Sequence, residues 1–115
     1  DDLVAKRLFP VRRVFCASPE YLRAHGEPSH PSDLERHRLG LYSRYPTRDR
    51  WTFRSAAEEV TLELSPALRS NSVHRLADYA LEHAGIVCLP TTVASAPIVR
   101  GALRPILPRW RLSSF

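Results

Sequence analysis

Residues 68–90 read LRSNSVHRLADYALEHAGIVCLP. A short extended run, 67–70, ends in two small polar residues, Asn71 and Ser72. From Val73 the apolar residues Leu76, Ala77, Ala80, Leu81 and Ala84 recur at the spacing of one helical face. The spacing predicts a helix over 72–84, capped by Asn71 or Ser72 and closed by Gly85. Ile86 to Pro90 shows no alternation of apolar and polar residues, as suits a strand buried on both faces of a parallel sheet. Strand, helix and strand form a βαβ unit. Its two strands are expected side by side and pointing the same way, with a right-handed crossover.

Working outward, residues 11–18 (VRRVFCAS) are β-branched and aromatic and predict a strand, with Pro10 marking its start. Ser18 before Pro19 is a helix start, and Gly26 a helix stop, for a short helix between them. Ser32-Asp33-Leu34-Glu35 has the pattern of a capping box, opening a second short helix that ends near His37. Residues 38–43 predict another strand, and 44–50 (RYPTRDR) a polar loop. Residues 51–55 (WTFRS) and 58–65 (EEVTLELS) alternate and predict an antiparallel pair, although the connection lacks the usual Gly or Asn. Thr91 and Thr92 are candidate caps for a helix through Ala96, weakened by Pro97 and closed by Gly101. Residues 102–108 predict a last extended piece.

The 115 residues allow one domain or less, and 43% apolar content suits a packed core. No apolar run reaches membrane-spanning length. The start, DDLVAKRLFP, has neither a methionine nor the apolar segment of a secretory signal, and reads as the middle of a longer chain. The net charge of +5 comes from scattered arginines, with a single lysine and no basic run, which argues against direct DNA binding by this segment. Cys16 and Cys88 lie in apolar strands and read as small buried hydrophobes of a reducing compartment. A disulfide requires the two strands to be neighbours.

Helix starts that follow strands point free amides into the crevice beyond a parallel sheet. Asn71 and Ser72 sit at such a junction, Pro90, Thr91 and Thr92 at a second, and Ser18 at a third. These residues suit a carboxylate or other small polar ligand. They equally suit plain helix capping. Signs of catalysis are weak. Four glycines build no phosphate loop or nucleophile elbow. His25, His30 and His37 lack metal-ligand spacing and read as exposed loop residues, and His74 and His83 as surface residues. Glu58 and Glu59 point to opposite faces of a strand. Trp51 and Phe53 share one face and read as a core or lip contact.

Residues 11–43 (VRRVFCASPEYLRAHGEPSHPSDLERHRLGLYS), 51–53 (WTF), 58–90 (EEVTLELSPALRSNSVHRLADYALEHAGIVCLP) and 101–110 (GALRPILPRW) together resemble the effector-binding domain of LysR-type transcriptional regulators. The likeness runs from about Leu3 to Trp110, in the family's order and spacing. One departure is a single glycine, in HAGIVCLP, where many relatives carry two. The resemblance implies an α/β fold like the type 2 periplasmic binding proteins: two Rossmann-like subdomains with mostly parallel sheets, joined by crossing strands. This chain would be a partial domain, with residues 11–108 as the second subdomain and its ends as fringes of the crossover strands. It further implies a small-molecule effector, a carboxylate among the candidates, held between the subdomains by Asn71, Ser72, Pro90 and Thr91, with Leu41, Tyr42 and Ser43 at the margin. The implied function is sensing, without catalysis, metal or cofactor, in a bacterial, cytoplasmic homo-oligomer (dimer or tetramer). DNA would be bound only through an N-terminal helix-turn-helix outside these residues, and no membrane would be involved. The alternative is a solute-binding protein of the same fold.

Overall fold

The computed structural model describes residues 12–44 and 49–112. The expectations for Pro10, for the fringe residues 1–8 and 113–115, and for most of the 44–50 loop lie outside the described residues.

Among the described residues, eight short strands make two sheets, with three α-helices and a 3-10 helix between them. Strand β1 (Arg13–Ala17) leads into α1 (Pro19–His25) and a 3-10 helix (Pro31–Arg36). Then come β2 (Leu39–Tyr42), the hairpin of β3 (Arg50–Arg54) and β4 (Glu59–Glu63), and β5 (Leu68–Ser70). Helix α2 (Val73–Leu81), β6 (Ile86–Pro90), α3 (Thr91–Val99), β7 (Arg104–Pro105) and β8 (Arg111–Leu112) complete the chain. The larger sheet has the order β5-β2-β6-β1-β7, and the smaller β4-β3-β8.

Residues 68–90 are strand, helix and strand, and β5 and β6 point the same way, since each is parallel to β2. They are not side by side, however, because β2 lies between them, with Gly40 opposite both Leu68 and Val87. The local pattern specifies a crossover and not how many strands it passes. Strand β1 is antiparallel to β6, with Arg13 opposite Pro90 and Cys16 opposite Val87. The end of β1 at Ser18 therefore lies at the opposite margin of the sheet from Pro90, and Ser18 does not share the crevice of Asn71 and Thr91. In its place Arg12 and Arg13 arrive there.

The sheet's two faces bury separate cores. Phe15, Leu39, Leu41, Ile86 and Cys88 pack with Tyr21, Leu34, Trp51 and Phe53, beneath α1 and the hairpin. Cys16, Val87 and Leu89 pack with Leu76, Ala80 and Ala94, beneath α2 and α3. The two cysteines are thus on neighbouring strands but on opposite faces, which the alternation of side chains requires, and they form no disulfide. Burial pushes the Cys16 thiol up to about 12.

The helix ends carry several corrections. Helix α1 is capped as read: Ser18 Oγ accepts the Tyr21 amide at 3.0 Å, and Gly26, at φ 88°, closes it. The capping box belongs to His30 and Asp33 instead of Ser32 and Glu35. The Asp33 carboxylate accepts the His30 amide, and the His30 ring accepts the Ser32 amide at 3.1 Å. Pro31 then occupies the first position of a 3-10 turn. Helix α2 stops at Leu81, three residues early, and His83 takes the left-handed conformation at φ 64° that Gly85 was expected to supply. Helix α3 has Pro90 as its N-cap without a side-chain cap, so Thr91 is its first residue and not its cap, and it runs past Ala96 to Val99.

The hairpin turns without Gly or Asn because Ser55 Oγ accepts the amides of Ala57 and Glu58, both at 3.2 Å. Its outer face pairs Arg50 with Glu63, Thr52 with Thr61 and Arg54 with Glu59 directly across the strands. Charge along β4 suits an edge strand.

Candidate functional site

Three strand ends converge at one margin of the larger sheet. Strand β2 ends at Tyr42 and Ser43, β5 at Ser70 to Ser72, and β6 at Pro90 and Thr91. The Ser43 amide donates to the Ser70 carbonyl at 2.9 Å, and the Ser72 amide to Ser70 Oγ at 3.0 Å. At the far end of this rim the Thr91 amide donates to the Arg12 carbonyl at 2.9 Å. The rim therefore runs from Asn71 past Ser43 and Thr91 to Arg12.

Sequence left the capping role open between Asn71 and Ser72. Ser72 takes it, its Oγ accepting the Arg75 amide at 3.2 Å. Asn71 is exposed, and its side-chain amide makes no hydrogen bond among the described residues. A side chain that donates and accepts, left uncommitted beside a helix start, is suited to a ligand in a way that a cap is not. Pro90, Thr91 and Tyr42 are half-buried at this rim, and Ser43 is exposed. Leu41 differs: it is 1% exposed, in the core beneath the hairpin, so its side chain faces away from the rim.

The sequence reading missed Arg12 and Arg13. The sequence sets them within the strand over 11–18, and only the antiparallel register of β1 brings them to the rim. The guanidinium of Arg13 lies over the ring of Trp51, 5.5 Å from its centre. Beside them opens a cavity of about 580 Å³, lined in part by Arg12, Arg13, Phe15, Phe53, Trp110 and Arg111. None of Asn71, Ser72, Pro90, Thr91 or residues 41–43 lines it. A second, smaller hollow lies by Glu27 and Trp110.

Other candidate groups are committed to the fold. Trp51 and Phe53 are core residues, as read, each packed against Phe15 with ring centres 5.3 and 5.5 Å apart. Three histidines are not the free surface residues that spacing suggested. His30 pairs with Glu58 at 2.9 Å and meets the edge of Trp110. His37 is bonded to the Tyr21 hydroxyl at 2.9 Å. His83 bridges Glu20, at 3.1 Å, and the buried Ser18 hydroxyl, at 2.8 Å. Glu59 is held by Arg54 at 2.7 Å. Among the described residues no three metal-ligating side chains converge, and no helix is long and apolar enough to cross a membrane.

The sequence profile of the LysR substrate binding domain matches residues 1–115. The chain belongs to the LysR substrate binding domain family. It is 34% identical over 116 residues to the probable HTH-type transcriptional regulator SinR of Salmonella typhimurium, with 97% of this chain and 36% of SinR covered. It is 32% identical over 112 residues to the probable regulator LtrA of Klebsiella pneumoniae, again 97% of this chain and 36% of that protein. In three dimensions it resembles the regulatory domain of AphB from Vibrio vulnificus, with TM-score 0.78 and 30% identity, over 90% of this chain and 51% of that one. The regulatory domain of CrgA from Neisseria meningitidis follows at TM-score 0.73 and 27% identity, over 89% and 52%. The chain thus spans about a third of the length of these curated relatives and about half of the solved regulatory domains. Membership gives the chain the type 2 periplasmic-binding-protein-like fold of the LysR substrate binding domain.

Proposed function

We propose that residues 11–108 form the second subdomain of an effector-binding domain and that the rim from Asn71 to Thr91 contacts a small effector held against a first subdomain. The observation that carries this reading is the uncommitted Asn71 amide beside the start of α2, on the same sheet margin as the side-chain-uncapped start of α3. Two helix starts that present amides favour an anion or a strong acceptor, so a carboxylate suits the rim. Tyr42 and Ser43 extend it, while Leu41 is buried in the core.

The effector changes the angle between subdomains by binding one arrangement better than the other. In the complete regulator this shift passes to a homo-oligomer, dimeric or tetrameric, and to DNA held by a helix-turn-helix outside these residues. No bond is made or broken, and the setting is the bacterial cytoplasm. A solute-binding protein of the same fold is the alternative, and the regulators among the relatives weigh against it.

The test is a reporter assay of the complete regulator with Asn71→Ala and Ser72→Ala. Asn71→Ala removes no cap, so induction falls about tenfold with folding stability unchanged, the loss of one ligand hydrogen bond of about 1.4 kcal/mol. Ser72→Ala lowers induction and also costs α2 about 1 kcal/mol. Operator affinity stays the same in both. Normal induction by both variants contradicts the proposal.

A further inference from the structure

We propose that His30 is a proton-operated latch where the 3-10 helix, the hairpin and the approach to β8 meet, and that its ring trades a helix cap for an ion pair when it takes up a proton. Both ring nitrogens are in use. Nδ1 accepts the Ser32 amide at 3.1 Å, so it carries no proton. Nε2 lies 2.9 Å from Glu58 Oε1, and an ionised carboxylate only accepts, so Nε2 carries the proton. The surroundings thus fix the neutral ring in one tautomer. The third contact is the Trp110 ring, met edge-on with centres 5.1 Å apart.

A second proton can add only at Nδ1. There it finds an acceptor in Ser32 Oγ, at 2.8 Å, but it also confronts the Ser32 amide with another N–H, and the side-chain cap is lost. At the other nitrogen the hydrogen bond to Glu58 becomes an ion pair between exposed groups. The two changes oppose each other, so local order shifts and overall stability changes little. The 3-10 helix also carries Asp33, Glu35 and Arg36, with Asp33 and Arg36 paired at 2.7 Å. Amide donors, that of Ser29 first, hold the Asp33 carboxyl below its usual range, so it stays ionised and keeps its bond to the His30 amide. The hairpin adds the Arg54–Glu59 pair, and Arg109 and Arg111 flank Trp110. Among these side-chain types, histidine alone ordinarily changes charge between about pH 5.5 and about pH 8. Strand β3 pairs with β8 through Phe53 and Leu112, and Arg54 and Arg111. Glu58 stands at the hairpin turn and Trp110 directly before β8, so the latch joins both ends of that pairing. Its consequence for regulation, a pH-dependent seating of β8 toward a first subdomain, rests on the function proposed above. The exchange of bonds at His30 does not.

Hydrogen exchange of the complete regulator at about pH 8 and about pH 5.5 tests this. The first variant is His30→Asn, whose side chain caps a helix start and does not titrate. At the lower pH the amides of residues 32–36 exchange about fivefold faster in the wild type than in His30→Asn, and at the higher pH the two agree. The second variant, Glu58→Gln, keeps an acceptor without the charge. The amides of residues 56–60 are better protected in the wild type than in Glu58→Gln at the lower pH, and equally protected at the higher. Equal exchange of 32–36 in the wild type and His30→Asn at the lower pH overturns the proposal, as does a difference of the same size at both. If His30→Asn does not fold, equal protection of 56–60 in the wild type and Glu58→Gln at both pH values overturns it. The measurement needs no effector, so its failure leaves the rim reading standing, and normal induction by Asn71→Ala leaves the latch standing.

Discussion

Gly85 is required by proximity and not by its backbone angle. A Cβ there would lie 2.4 Å from the Arg38 carbonyl oxygen and 2.9 Å from the Tyr79 ring. The same carbonyl accepts the Ile86 amide at 2.8 Å, so it cannot withdraw without breaking the start of β6. Gly85→Ala is expected to destabilise the domain by about 2–3 kcal/mol, read as a lowered urea midpoint. An unchanged midpoint would contradict this contact. The glycine was visible in the sequence as a break after a helix, but its reason was not. The left-handed residue is His83, whose ring is held by Glu20 and Ser18 across 65 positions of sequence in the latter case. No local pattern announces a bond of that range.

Elements were read best where their signals are local. Ser18, Pro19 and Gly26 bound α1 as the capping rules predict, and the apolar face of α2 is buried at Leu76, Ala77 and Ala80. The hairpin lacked its usual turn residues because a serine hydroxyl satisfied the turn amides in their place. What the sequence did not contain was strand order: the insertion of β2 between β5 and β6, and the reversal of β1, depend on pairings far apart in the chain. One such link joins α1 to the approach of β2. The Tyr21 hydroxyl accepts the Arg38 amide at 3.3 Å and is also hydrogen-bonded to His37 Nδ1 at 2.9 Å. Burial, and then the neighbouring His25, hold the His37 imidazole below its usual range. The folded state therefore favours neutral His37, and its contribution is present above the unfolded value and lost as pH falls through the folded one. Between about pH 7 and about pH 5 the urea midpoint of the domain should drop, and His37→Gln, whose side chain can also bond the Tyr21 hydroxyl, should drop less. Equal losses in the two proteins would rule out His37 as the source.

Taken as one body, the chain puts its chemistry at a single margin. Asn71, Ser43 and Thr91 come from strands that run together, and Arg12 and Arg13 from the one that runs against them. Asn71 and Thr91 were legible because a strand followed by a helix has a fixed local grammar, whereas Ser43, before a loop, came only with the family resemblance. The arginines were not, because a charged pair inside a strand acquires its position only from register. Leu41 was misassigned for a related reason: the alternation of β2 sends it into the core and leaves Tyr42 and Ser43 outside. The matching profile and relatives give the family, and the rim is the place we propose for an effector to meet this chain.

Deuterium exchange on the complete regulator, with and without its inducer, tests that location most directly. The amides of residues 71–75 and 91–94 should exchange more slowly when the inducer is bound, while those of the outer strand, residues 59–63, should not change. Protection confined to other segments, with 71–75 and 91–94 exchanging at the same rate in both states, would contradict the account.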